Sequence, residues 1–320
     1  MLTAHFDADS VARVRLALSP VTEVSAWLGL TATGGRHAVF GDPGAGARSA
    51  LCHRDTALVA AVLALPGRRY TPDLLTPKPS AGSGGTVLDD QLERVAVTPH
   101  EVVETQVGWM DAPMPAAVQR AVDRGTFASR AAHGLSRFWA AVVADGWPGI
   151  RATMEADLAV RAQTMTTRGV GAMLESLHPS MSWQSGTLNI RMPPWQEELD
   201  LSGAELVCSP AVLAWPTLSV QLCDAADAAL RYPADGIGVP TADSADRSLD
   251  HLLGATRAAL LRDLERPRST AALSQRHHLS APTVSYHLQV LRRSGLVVRH
   301  RDGLFVLYQR TQSGHALVGP

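Results

Sequence analysis

The chain has 320 residues, 46% of them apolar, with 29 basic and 30 acidic side chains for a net charge of −1. No apolar run approaches the ~18 residues of a membrane helix, which predicts a soluble globular protein, and the length suggests two domains. Cys52, Cys208 and Cys223 are too few and too scattered for a disulfide framework or a thiolate metal site, and Met1 to Ser10 holds His5, Asp7 and Asp9 in place of a secretion signal, so the expected setting is the cytoplasm.

The first part of the chain reads as mostly helical. Apolar residues recur at three and four in Val11 to Leu30, Asp55 to Leu65, Leu88 to Val95, Thr98 to Val107, Ala116 to Arg124, Ser129 to Asp145 and Pro148 to Thr167. Pro66 to Gly85 lacks that periodicity and reads as an exposed, mobile connection that contains Lys78, the only lysine. From Met181 the period shortens, and Thr187 to Met192, Glu205 to Leu213 and Ala228 to Tyr232 read as strands. The predicted class is α+β: a mostly helical N-terminal body with a small antiparallel sheet, followed by a smaller C-terminal domain. Pro233 to Ser248, with Pro240, Gly236 and Gly238, reads as the connector between a domain at 1–240 and one at 249–320.

Charge divides the same way. Residues 250 to 320 hold ten arginines against Asp250, Asp263, Glu265 and Asp302, a net of +6, which leaves −7 on the remainder. A basic module beside an acidic body fits a nucleic-acid binder with a separate regulatory part.

In the basic module, Leu249 to Leu264 reads as one helix, with Leu249, Leu252, Leu253, Thr256, Leu260 and Leu264 on one face, ended by Arg266-Pro267. Ser269 is placed to cap a second helix and Ser280 a third, with Pro282 in its first turn. On that third helix Val284, Leu288 and Leu291 form an apolar stripe. Ser285, Tyr286, Gln289 and Arg293 cluster opposite, where hydroxyl, phenol, amide and guanidinium can reach base edges or phosphates. After Gly295, two extended runs around Asp302-Gly303 predict a hairpin wing whose Arg299, Arg301 and Arg310 could contact phosphates, which completes a C-terminal winged helix-turn-helix domain.

Leu279-Ser280-Ala281-Pro282-Thr283-Val284-Ser285-Tyr286-His287-Leu288, continued by Leu291, Gly295-Leu296-Val297 and Asp302-Gly303, resembles the ArsR-type winged-helix repressors. The resemblance implies a symmetric dimer on double-stranded operator DNA that is released by an effector, with Ser285, Tyr286 and Gln289 as groove readers. Ser280, Thr283, Arg292, Arg293, Arg299 and Arg301 complete the expected DNA-binding set. The family's metal sensors carry cysteines where this chain has Ser269, Ala271 and Ser274, so no metal and no cofactor is expected; His277-His278 is only an adjacent pair. The wing tip, often arginine after the glycine, is Leu304. In the body, Leu16-Ala17-Leu18-Ser19-Pro20, Tyr70-Thr71-Pro72-Asp73-Leu74-Leu75-Thr76-Pro77, Glu155 to Ala162, Leu177-His178-Pro179 and Tyr232-Pro233-Ala234 are similar to ArsR-like regulators with a large N-terminal domain, which implies a sensor or dimer domain.

Seven of the sixteen aromatic residues are tryptophan. Trp139, Trp183 and Trp215, with Trp147, Trp195 and nearby methionines, could line a pocket for a small apolar or aromatic effector oriented by His178, or simply fill a core. Asp157 and Arg161 read as a helix salt-bridge face. His53-Arg54-Asp55 imitates a kinase loop but has Ala60 where a metal-binding asparagine belongs, and Gly41 to Gly46 lacks the phosphate-loop lysine, so the chain is not expected to be an enzyme. The expected function is a DNA-binding repressor controlled by a small molecule. The alternatives are a DNA-tethered protein-interaction module or an enzyme domain fused to a winged helix.

Overall fold

The computed structural model describes the chain except residues 68–69, 82–86, 111, 195, 238–248, 251, 303–304 and 319–320, with backbone alone at 302 and 305. It divides into two compact units, Met1–Ile237 and Gly238–Pro320.

The first unit opens with β1 (Leu2–His5), α1 (Ala8–Ala12) and β2 (Arg15–Leu16). It continues through α2 (Pro20–Ala32), α3 (Gly44–Ala50), α4 (Arg54–Leu63), α5 (Val87–Ala96), α6 (His100–Gly108), α7 (Ala116–Asp123) and α8 (Phe127–Phe138). The long α9 (Trp147–Leu177) then leads into β3 (Met181–Gln184), β4 (Thr187–Ile190), β5 (Glu197–Asp200), β6 (Val207–Ala211), β7 (Ser219–Gln221) and β8 (Ala229–Pro233).

Helix α8 packs against α4 and α5, and α2 packs against α4. Phe127, Ala131, Leu135 and Phe138 recur at helical spacing on α8, so one stripe is buried. Each large member contributes roughly 1.5–3 kcal/mol by leaving water. Gly134 sets the approach of α4, because a Cβ there would lie 2.4 Å from the Asp55 carbonyl oxygen.

The sheets form a second cluster around Leu188, Ile190, Leu206, Leu230 and Tyr232. Two mixed four-stranded sheets replace the single antiparallel sheet expected, in the orders β3-β4-β1-β5 and β2-β6-β8-β7. In the first, β1 runs antiparallel to β4 and parallel to β5, pairing Leu2 with both Ile190 and Glu197. In the second, β6 lies parallel to β2 and β8. All five β6 residues are buried, as in a strand covered on both faces.

Three local expectations are corrected. Val11 to Leu30 is not one helix, because Arg15 and Ala17 donate to Leu206 and Cys208 as a strand, and Pro20, lacking an N–H, opens α2 in its first turn. Within Pro66 to Gly85, residues 72–79 are mostly buried instead of exposed. Leu75 O accepts from Ser25, Pro77 O from Gln91 and Thr76 O from Arg231, while Lys78 Nζ donates to Glu205 O at 2.8 Å and Ala226 O at 3.1 Å. Asp157 and Arg161 pair at 3.2 Å as their spacing predicts, but inside the protein. Asp157 also accepts from Tyr232 Oη (2.7 Å), and Arg161 also binds Asp235 (2.5 Å).

The second unit contains α10 (Ala255–Asp263), β9 (Arg268–Ser269), α11 (Thr270–His277), α12 (Ala281–Arg293), β10 (Val297–Asp302), β11 (Phe305–Arg310) and α13 (Gln312–Val318). Its strands pair in the order β10-β11-β9. Leu260, Leu261, Leu264, Leu273, Val284, Leu288, Leu291 and Val297 make its core, with Tyr308 of β11 packed against them. The single helix expected over Leu249 to Leu264 is interrupted by Gly254 at φ 84°, which leaves Leu252 69% exposed.

Candidate nucleic-acid interface

The turn between α11 and α12 follows from local chemistry. Ser269 Oγ caps α11 by accepting from Ala272 N, and His278 takes a left-handed conformation (φ 51°, ψ 40°) that stops the helix. Ser274 Oγ donates to Leu279 O at 2.5 Å, and Leu279 N donates back to Ser274 O at 3.1 Å. Ser280 then caps α12 through Thr283 N, with Pro282 in the first turn. Two helices joined this tightly hold the second in a fixed orientation.

On α12 the stripe of Val284, Leu288 and Leu291 is buried, and Ser285, Tyr286, Gln289, Arg292 and Arg293 are exposed; Tyr286 keeps 64% of its surface. The structure therefore gathers five of the expected DNA-binding side chains on one solvent face. Arg299 and Arg301 are exposed on β10, two residues apart in strand register. Ser280 is exposed and Thr283 half-buried; their hydroxyls bond each other at 2.7 Å as part of the cap. Gly303 and Leu304, which carried the wing-turn and wing-tip expectations, lie outside the described residues.

Five arginines of this unit fall into two groups. Asp263, its side chain 11% exposed, pairs with Arg268 (3.0 Å), Arg276 (2.8 Å) and His277 (3.1 Å). Among the described residues, Arg292, Arg293 and Arg299 make no ion pair and remain open to phosphate. Sequence reasoning counted Asp263 only as a charge to subtract. Its gathering role depends on α11 folding back to place residues 13 and 14 positions later beside it.

The body candidates do not come together. Trp139 stacks edge-on with Trp147 at 4.9 Å against the helical cluster, and Trp183 packs on Phe6 at 5.4 Å against the sheet cluster. Trp215 lies 6.1 Å from the His37 ring. His178 is bonded within its own turn, to Ser180 Oγ at 2.7 Å and Ser180 N at 3.1 Å. Trp195 lies outside the described residues. Among the described residues no group of three or more His, Cys, Asp or Glu could hold a metal ion, and no helix is long and apolar enough to cross a membrane.

The model of a helix-turn-helix domain family matches residues 252–300, the stretch that contains α10, α11, the turn and α12. No curated protein and no solved structure matches the chain. The second unit thus contains a helix-turn-helix domain of the DNA-binding type, which its sequence match and its geometry both support.

Proposed function

We propose that this helix-turn-helix protein is a cytoplasmic transcriptional repressor of the ArsR-like kind, which binds operator DNA as a homodimer and changes its affinity when a small molecule binds the N-terminal body. The observation that carries the reading is the solvent face of α12. Ser285, Tyr286, Gln289, Arg292 and Arg293 project there above a buried leucine and valine stripe, the division that a helix entering a major groove needs.

In this reading two copies place their α12 helices in successive major grooves of a palindromic site. Gln289 and Tyr286 contact base edges, while Arg292, Arg293, Arg299 and Arg301 meet phosphates on the flanks. A ligand that prefers one arrangement of the body shifts the population between binding-competent and incompetent states, with a coupling of roughly 1–3 kcal/mol. The body acts as a binding domain and not as an enzyme.

The direct test is fluorescence anisotropy of the full chain on the DNA upstream of its own gene, with and without candidate compounds. Salt-dependent binding that a compound weakens supports the reading. Equal affinity for that DNA and for random duplex at every salt concentration overturns it.

A further inference from the structure

Although residues before the second unit carry a net negative charge, cations crowd at one place on the body, where the start of α4 meets the exposed side of α8. Asp55 is 2% exposed there and accepts from Arg130 Nε at 2.7 Å, while His133 Nδ1 bonds its other oxygen at 3.2 Å. Arg54 Nε lies 3.8 Å from the same carboxylate with its side chain 85% exposed. The His53 and His133 rings meet edge-on at 5.8 Å. Arg137 follows His133 by one turn of α8 and is exposed.

We propose that Arg54, Arg137, His53 and His133 form a binding site for a phosphomonoester group, the anionic part of a small effector. As the class of effector, this rests on the regulator reading above; as a binding site it stands apart from DNA.

Three observations support it. First, charge is complementary: three guanidinium groups against one carboxylate leave +2, which a phosphate dianion neutralises. Second, donors remain for a ligand on solvent-accessible side chains. His53 Nδ1 accepts from Asp55 N at 3.3 Å, so the neutral ring carries its proton on Nε2; His133 donates Nδ1–H to Asp55, and its Nε2 donates to a phosphate oxygen when the ring is protonated. Third, Asp55 offsets the crowding only in part. Partial burial, and then the positive charges of Arg137, His133 and Arg54, hold the His53 imidazole below its ordinary value although Asp55 opposes them. The frame is rigid, since Gly134 brings the α8 backbone against that of Asp55 and Thr56, and Thr56 Oγ1 donates to Gly134 O at 3.2 Å.

The test follows the histidine ring signals of the full chain by NMR, assigned through His53→Gln and His133→Gln, during titration with inorganic phosphate against sodium chloride of equal ionic strength. Saturable shifts of both rings, a rise in the His53 pKa with phosphate bound, and at least tenfold weaker binding in the Arg54→Ser/Arg137→Ser double variant support the site. Both arginines are exposed, and an unchanged melting temperature verifies that the variant folds. Equal shifts in chloride, or full binding by the double variant, overturn it. Operator DNA added in place of phosphate should leave both rings unmoved; if DNA moves them, the phosphate source is the duplex and the small-effector assignment falls. Phosphate binding without any DNA binding would sink the regulator reading and leave the site standing.

Discussion

The Asp263 carboxylate accepts a 2.8 Å hydrogen bond from Arg276, joining the last residue of α10 to the last turn of α11. With Arg268 and His277 on the same carboxylate, the first two helices of the reading unit are fixed to each other through one side chain. Asp263→Asn should therefore destabilise the unit by about 1–3 kcal/mol, since charge-assisted bonds to a largely buried group are lost. Amide hydrogen exchange in α11 and α12 measures this; a change below about 0.5 kcal/mol would place these pairs with ordinary surface ion pairs.

Gln289→Ala should weaken operator binding by about 1–3 kcal/mol and relax discrimination at one base pair. Competition anisotropy against single-base operator variants reads both effects, and unchanged specificity counts against α12 as the reader.

Arg293→Ala should lower the slope of log affinity against log salt by about one unit, because in the proposed function its guanidinium meets a phosphate. Arg268→Ala, whose guanidinium is already held by Asp263, should leave the slope close to that of the unsubstituted protein. Equal loss of slope in the two variants would refute the division of the arginines.

Two glycines in helices should respond in opposite directions. Gly134→Ala drives a methyl into the Asp55 backbone, which cannot move as a side chain would, and should destabilise the body by at least ~1–3 kcal/mol. Gly46→Ala in α3 meets nothing within 4 Å and should stabilise by up to about 1 kcal/mol. Urea unfolding followed by tryptophan fluorescence compares them.

Glu23 is wholly buried, accepts from Val212 N and Leu213 N, and has its carboxyl pushed up to about 7 by burial against the opposing effect of those two N–H groups. The folded chain holds this proton when the unfolded chain has lost it. The resulting stabilisation is full below the unfolded pKa of 4.5 and is lost as pH rises to about 7, at ~1.4 kcal/mol per unit and roughly 3–4 kcal/mol in all. Glu23→Gln should remove this fall. Unfolding free energies of the two proteins that stay parallel from pH 5 to pH 7 would contradict it.

The winged unit was legible because its determinants are local: Ser280 and Pro282 start α12, and the valine and leucine stripe needs only helical spacing to show which face is solvated. The body was less legible because its determinants are distant. β1 is four residues long and acquires its identity from partners nearly 190 positions away, and β2 has only two residues. Proline-rich residues 72–79 carry no periodicity, and partners distant in the chain, among them Ser25, Gln91, Glu205 and Arg231, draw them inside. The four proposed pocket residues shared a region of sequence, but Trp139 packs against the helical cluster, Trp183 against the sheet cluster and Trp215 beside His37. Asp55 read as part of a failed kinase motif, and its true partners Arg130 and His133 lie on another helix.

Burial of the lone lysine also supplies a chemical clock. Lys78 is 5% exposed, with its ammonium bound to two carbonyls and the Glu205 carboxylate, so an acylating reagent can reach it only when this segment lifts away from the sheet. The rate at which that one side chain is acylated would time the local opening of the body without any engineered probe.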